Sequence, residues 1–163
     1  MIIIRKYKES DREVLKEITA ICFEGVSLEY HTEQMFGVIH GKDWRWRKKR
    51  HVDADIDANA DGIFVAEEEG EVVGYISTRV DPETKIGGIP NFSVLPRCQK
   101  KGIGRRLVDA AVEYLKSQGM EYARIETLAN NEVGLRFYPR LGFQEVIRQV
   151  HYIKRLGEEG KME

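Results

Sequence analysis

Apolar residues recur along the chain in two rhythms: short β-branched runs and longer stretches at helical spacing. Ile2, Ile3 and Ile4, followed by Arg5, Lys6 and Tyr7, predict a first strand. Ser10 and Glu13 have capping-box spacing and Asp11 adds negative charge, so Val14, Leu15, Ile18, Ile21 and Cys22 predict a helix to about residue 23. Gly25 interrupts it. Ser27 is placed to cap a second helix with a poorer stripe of Leu28, Met35, Val38 and Ile39. Residues 62–66 and 72–80 predict a hairpin across the acidic turn Glu67–Gly70. A turn at Asp81–Thr84 leads into a strand from Ile86 to Val94. Within it Pro90 lacks a ladder donor, so it predicts a bulge, a splay or an edge position. Ile103, Leu107, Val108, Ala111, Val112 and Leu115 form one helical face, ended by Gly119. Tyr122 to Thr127 reads as a strand. Asn130 or Asn131 is placed to cap a short helix with Val133, Leu135, Phe137 and Leu141, closed by Gly142. Phe143 to Ile153 predicts one bent strand or a hairpin, and residues 157–163 a frayed polar tail.

One stretch fits neither rhythm. Lys42 to Arg50 is basic with Trp44 and Trp46 interleaved, and Asp53, Asp55, Asp57 and Asp61 follow closely. Three readings are open: a solvated, mutually screened helix-to-strand connection, an acceptor-site wall with a tryptophan surface and a carboxylate-pairing arginine, or an RNA contact.

Composition narrows the class. The 163 residues fit one domain with a sizeable core, and 42% hydrophobic content argues against global disorder. A net charge of −1 argues against a generally basic nucleic-acid binder. No apolar run reaches the roughly 18–20 residues of a membrane span, and the start lacks signal-peptide form. Cys22 and Cys98 do not suggest a disulfide framework, so a reduced, cytoplasmic setting is expected.

The richest chemistry lies between Asn91 and Leu107. A strand ends at Pro96, a basic loop follows, and Gly102 and Gly104 open the amphipathic helix. Free amides at a helix start attract anions, and glycine lets a bulky group approach the main chain. Lys100, Lys101, Arg105 and Arg106 add positive charge. The nucleotide P-loop is excluded because the lysines precede Gly102; the dinucleotide fingerprint fails because Leu107 stands at its third glycine. What stands is Gln99-x-x-Gly102-x-Gly104, preceded by Val94-x-Pro96, which resembles the acetyl-coenzyme A signature of the GNAT N-acetyltransferase superfamily.

A second segment strengthens the resemblance. Asn131, Phe137, Tyr138, Gly142 and Phe143 match Asn-x-x-Ala-x-x-Phe-Tyr-x-x-x-Gly-Phe, with Gly134 in place of the usual alanine. The resemblance covers about Phe64 to Phe143. It implies an α/β fold: a single GNAT-like domain over residues 1–156, with a mixed central sheet of about six or seven strands splayed near the cofactor and about four flanking helices. It implies acetyl-CoA as co-substrate, no metal, and an amine acceptor, either a small molecule or a protein amine. Membrane or nucleic-acid partners are not implied, and homodimerisation is common in such families. The cofactor-binding residues carried over are Phe92, Ser93, Val94, Gln99, Lys100, Lys101, Gly102, Ile103, Gly104, Arg105, Asn131 and Tyr138. Two departures stand out. Pro139 removes a backbone donor late in the tyrosine helix, where an end or kink is expected. The strand Ile86–Val94 contains no Asp or Glu, although many family members carry a catalytic carboxylate there.

Acetyl transfer needs a neutral amine. A lysine-like amine with a pKa of ~10.4 costs about 4–5 kcal/mol to neutralise at pH 7, and an α-amine near ~7.8 only about 1. Glu126 is the best available carboxylate for that task, with an ordered water chain as the alternative. Its spacing to Asn131 and Tyr138 is similar to the base–acid pair of GNAT enzymes that acetylate a ribosomal protein's N-terminal alanine. By the same resemblance, Tyr138 donates a proton to the departing thiolate. Backbone amides near Val94 polarise the thioester carbonyl, and those from Gln99 to Gly104 hold the pyrophosphate. Cys98 has no obvious base and is read as a bystander, leaving direct attack in a ternary complex. The competing readings are transfer of another acyl group, or a non-catalytic coenzyme A-binding regulatory or RNA-interaction module.

Overall fold

Alternation along the strands divides the sheet into two faces, and each is covered by helices that bury a matching stripe. The computed structural model describes residues 1–157. In chain order the elements are β1 (Ile2–Lys6), α1 (Arg12–Cys22), α2 (Leu28–Phe36), α3 (Trp44–Asn59), β2 (Phe64–Glu68), β3 (Glu71–Ile76) and β4 (Ile86–Ile89). They continue with β5 (Phe92–Val94), α4 (Ile103–Ser117), β6 (Tyr122–Ile125) and α5 (Glu132–Arg140). One face carries Val65 and Tyr75 against Leu15 and Ile18 of α1 and Val52 and Ile56 of α3. The other carries Ala66, Ile76 and Val94 against Ile103, Leu107, Val108 and Ala111 of α4. Successive strand residues serve opposite faces, as the pleat requires.

The sheet breaks where Pro90 stands. Strands β1, β2, β3 and β5 pair antiparallel in that order, whereas β4 pairs parallel with β6. The β4–β6 ladder ends at Ile89 opposite Ile125; past Pro90 the chain returns to β3, with Phe92 opposite Ile76 and Ser93 opposite Tyr75. The Ser77 amide still reaches the Asn91 carbonyl at 2.8 Å, and Arg79 and Gly88 exchange backbone bonds at 2.8 and 2.9 Å. Beyond Ile89 and Ile125, therefore, β5 and the chain after β6 diverge. The splay expected from Pro90 is present.

Several boundaries differ from the sequence pattern. The first helix is not opened by Ser10 and Glu13. A 3₁₀ turn, Glu9–Asp11, precedes it, and the Lys8 amide donates to Asp11 Oδ2 at 2.9 Å. Asp11 is taken by Arg5, whose guanidinium grips both carboxylate oxygens at 2.8 and 2.9 Å. Ser27 does cap α2, accepting from the Tyr30 amide, but the helix stops at Phe36 because Gly37 turns to φ +77°. The basic tract is not a connection. It opens α3, which raises the number of α-helices among the described residues to five. Of the aspartates that follow, Asp53 pairs with Arg12 and Lys16, and Asp55 with Arg79.

The strand expected over Phe143–Ile153 is absent. Residues 144–157 are all exposed, and among the described residues their backbone forms no ladder with another strand. A strand needs a neighbouring backbone to satisfy its donors and acceptors, and this one has none among the described residues. Six strands remain. The tail expected from residue 157 falls almost wholly outside the described residues. Among those residues no helix is long and apolar enough to cross a membrane.

Candidate active site

The basic loop returns to β5 through Gln99, whose side-chain amide donates to the Val94 carbonyl at 3.2 Å. Gly102 then adopts φ +79°, a left-handed conformation that an L side chain rarely takes, and a Cβ there would meet nothing. Its glycine is required by the backbone, not by crowding. The first intrahelical donor of α4 is Arg106, to the Gly102 carbonyl at 3.2 Å, so the amides ahead of it lie outside the helical ladder. Lys100 and Arg105 are exposed beside them, whereas Lys101 is engaged by Glu68 at 2.9 Å and Arg106 by the Ile2 carbonyl at 3.0 Å. These free amides and flanking cations suit a pyrophosphate. Ile103 is buried in the α4 core, so only its main chain faces that opening.

Gly104 has a different role. A Cβ there would lie 3.1 Å from Phe137 Cζ and 3.2 Å from Phe92 Cζ, so the glycine admits a stacked aromatic pair 5.8 Å apart. Tyr138 joins the pair: its ring lies 6.4 Å from Phe92, 5.6 Å from Phe137 and 6.1 Å from Phe143. Burial alone pushes its phenol up to about 12. Asn131 caps α5, accepting from the Gly134 amide at 3.2 Å and donating to Thr127 Oγ1 at 2.8 Å. An alanine at 134 would place its Cβ 2.8 Å from Asn131 Nδ2, which accounts for the glycine in the motif. Pro139 does not end the helix, which continues to Arg140.

On the opposite face, a cavity of about 460 Å³ is lined by Asn59, Arg79, Ile89, Pro90, Arg124 and Glu126, among others. Arg124 stands opposite Gly88 in the parallel ladder and Glu126 follows two residues on; Arg124 Nε lies 3.3 Å from Glu126 Oε1. Ile125 packs instead into the α4 core. Glu126 and Tyr138 therefore approach the splay from opposite faces.

Helix α3 fixes the splay from this side. Asp55, 2% exposed, accepts from Ser77 Oγ at 2.8 Å, Asn91 Nδ2 at 2.6 Å and Arg79 at 2.8 Å. Lys48, 7% exposed, donates to Asn91 Oδ1 at 3.0 Å, and its amine is pulled below the usual lysine value by burial. His51 lies 3.2 Å from Lys48 Nζ through Nδ1 and 2.9 Å from Glu29 Oε1 through Nε2. The polar chain Glu29–His51–Lys48–Asn91–Asp55 thus runs from the surface to the break in the sheet. Sequence reasoning missed it. The signal present was the helical spacing of Trp44, Lys48, Val52, Asp55 and Ile56, all buried on one side of α3.

Other expected site residues lie elsewhere. The Ser93 side chain points to α1, beside Cys22 and Tyr75, with no partner in hydrogen-bond geometry; only its main chain serves the α4 side. Cys98 is buried, bonded to Glu68 at 3.3 Å, and its thiol is raised by burial and by that carboxylate, which suits a bystander. Trp44 is buried edge-on to Tyr30 and offers no acceptor surface. Trp46 is half-exposed among Lys42, Arg47 and Arg50.

The sequence model of the acetyltransferase (GNAT) family matches residues 22–143. The chain belongs to the GNAT family. That family uses acetyl-CoA, and the cradle described above fits its pyrophosphate. A mycothiol acetyltransferase of Amycolatopsis mediterranei is 31% identical over 149 residues, covering 87% of this chain and 46% of that protein. An N-alpha-acetyltransferase of Sulfurisphaera tokodaii is 33% identical over 101 residues, covering 55% of this chain and 60% of that protein. The chain thus spans about half the length of such relatives or somewhat more, and only 26–27% of some others. A PaiA N-acetyltransferase from Thermoplasma acidophilum, solved in complex with coenzyme A, superposes with a TM-score of 0.70 at 22% identity over 88% of this chain and 90% of that one. The fold expected of a GNAT-like domain is the fold observed.

Proposed function

We propose that this GNAT protein is an N-acetyltransferase that passes an acetyl group from acetyl-CoA directly to an amine acceptor. The observation that carries the reading is the two-sided splay. The anion cradle and Tyr138 lie on the α4–α5 side, and the cavity with Glu126 lies on the α3 side. Bound acetyl-CoA supplies an activated thioester. The amides at the start of α4, with Lys100 and Arg105, hold its pyrophosphate, and Asn131 sets the aim of α5. Tyr138 keeps its proton at neutral pH, because burial raises its pKa, and delivers it from Oη to the leaving sulfur. Glu126 accepts a proton from the incoming ammonium, directly or through water, and Arg124 holds that carboxylate at the cavity wall. A reducing, cytoplasmic setting suits Cys22 and Cys98, both free thiols.

The test is release of free thiol from acetyl-CoA with a panel of small-molecule amines, peptide α-amines and lysine side chains. Turnover above hydrolysis with at least one class is expected, and Glu126→Gln should lower it about 10-fold or more on the lysine-like class, where deprotonation is hardest. A panel with no turnover above hydrolysis overturns the reading.

A further inference from the structure

Three residues stand in one row across the floor of the α3-side cavity. Gly88 on β4 exchanges backbone bonds with Arg79 on one side, at 2.8 and 2.9 Å. On its other side it stands opposite Arg124 in the parallel β4–β6 ladder. Residues paired across strands project from the same face, and all three line the cavity. Neighbouring strands lie about 4.8 Å apart, so the main chains of the two arginines are roughly 10 Å apart. Between them the floor is bare. Among the described residues, a Cβ on Gly88 would meet only Arg79 Cβ, at 3.7 Å. Two arginines therefore flank a gap that a glycine leaves open.

The two arginines are held differently. Arg79 gives one nitrogen to the buried Asp55 carboxylate at 2.8 Å, which fixes its direction and leaves further N–H groups of the fork for a ligand. Arg124 is tied only to Glu126 at 3.3 Å, an exposed pair of the kind that contributes little and exchanges readily. Asp81, the cavity's other carboxylate, is turned into its own loop, where it accepts from the Glu83 and Thr84 amides at 3.1 and 3.2 Å. We propose that the gap over Gly88 takes a carboxylate of the acceptor, clasped between Arg79 and Arg124, while the acceptor's amine meets Glu126. Guanidinium forks match carboxylate geometry, and the exchange replaces one exposed ion pair by two. The inference rests on the acetyltransferase reading above and adds the substrate class, an acidic amine. Its length follows from the spacing. Glu126 lies two residues beyond Arg124, about 7 Å along an extended chain. Extended chains advance about 3.6 Å per three bonds, so about six bonds separate the acceptor's nitrogen from its carboxyl carbon. A free α-amino acid is too short, and a polyamine brings a second cation to two guanidiniums.

The test compares kcat/KM for linear ω-amino acids, from glycine to aminooctanoate, each against its own carboxamide. Preference for the acid should peak near aminohexanoate, at about 20-fold or more. Gly88→Val fills the gap with a side chain that suits a strand, and Arg124→Gln removes one arm of the clasp. Each should bring the preference below about threefold by raising KM for the acid, and Arg124→Lys should keep part of it. Turnover without preference for the acid, or a preference that ignores chain length, overturns this inference and leaves the acetyltransferase reading standing. A preference unchanged in both Gly88→Val and Arg124→Gln also overturns it. Should no acceptor turn over, binding decides. N-acetylaminohexanoate, titrated calorimetrically into the protein with coenzyme A, should bind about 10-fold more tightly than its carboxamide, and equal affinities refute the clasp.

Discussion

Lys48 of α3 donates to the side-chain carbonyl of Asn91 at 3.0 Å, and Asp55, two turns further along the same helix, accepts from the Asn91 amide at 2.6 Å. The residue that follows Pro90 is therefore gripped at both ends by one helix. A strand interrupted by proline would be free to close or slide. Here its first residue past the break is fixed by buried, charge-assisted bonds, which are shorter and stronger than neutral ones.

Removing Asp55 should test that grip. Asp55→Ala leaves Ser77, Asn91 and Arg79 without their acceptor and Lys48 without a neighbouring negative charge. Loss of one member of a buried polar set typically costs about 3–5 kcal/mol. Urea denaturation should find a loss of that order. If Asp55→Ala unfolds within about 0.5 kcal/mol of the wild type, the network does not hold the splay.

The same helix marks where the sequence was hard to read. The faces of α1 and α4 were legible because their inward residues are apolar at helical spacing, and the glycine-bounded ends of α4 and α5 were equally plain. In α3, two inward positions are Lys48 and Asp55, so a pattern that counts apolar residues finds no stripe although the spacing is helical. Charge at those positions belongs to the break in the sheet, and only the tertiary partner Asn91 explains it. Residues 143–153 failed in the opposite way. Their composition is that of a strand, but pairing depends on a neighbouring edge that no single-strand pattern contains. Of the site, the cradle and Tyr138 were legible as motifs, whereas the division of roles between Gly102 and Gly104 needed the rings of Phe92 and Phe137.

Those two glycines should separate in kinetics. Gly102→Ala forces a left-handed backbone on a residue with a Cβ, at a cost of about 1–2 kcal/mol, and loosens the loop that presents the amides. The KM for acetyl-CoA should rise several-fold, with kcat little changed. Gly104→Ala gains helix propensity but presses on Phe137 and Phe92, and through them on Tyr138. Its kcat should fall about fivefold while stability stays within about 1 kcal/mol. Identical kinetic profiles for the two variants would contradict the assignment.

The Arg5–Asp11 pair predicts an acid limb in stability. Burial works to raise the Asp11 carboxyl, but Arg5 and the Lys8 amide outweigh it, and the group sits below its usual value. A carboxylate depressed in the folded state stabilises above its unfolded pKa of ~3.9, and that contribution is lost as pH falls through the folded value. Asp11→Asn should therefore cost about 2 kcal/mol at pH 7, and the gap from wild type should narrow below about pH 4. Melting curves across that range check it, and a gap independent of pH would show that the carboxylate charge is not what Arg5 needs.

Tyr138 provides the sharpest test of the chemistry. Its ring is fixed by Phe92, Phe137 and Phe143, so Tyr138→Phe removes one hydroxyl from a site whose shape the other rings maintain. General acid catalysis contributes typically about 10²–10⁴-fold, and kcat should fall by about 100-fold or more. Coenzyme A affinity should change by less than about threefold, because the ring stays. The pH profile adds a second constraint. With the phenol pushed up to about 12, the proton is retained through the alkaline range where an ordinary tyrosine, near ~10, would lose it. Wild-type kcat should then show no fall attributable to Tyr138 between about pH 8 and pH 10.5. Pre-steady-state measurement is needed alongside, so that slow product release does not mask the step. A Tyr138→Phe enzyme with undiminished turnover while the chemical step limits would remove the tyrosine from the proton path and leave solvent as the donor.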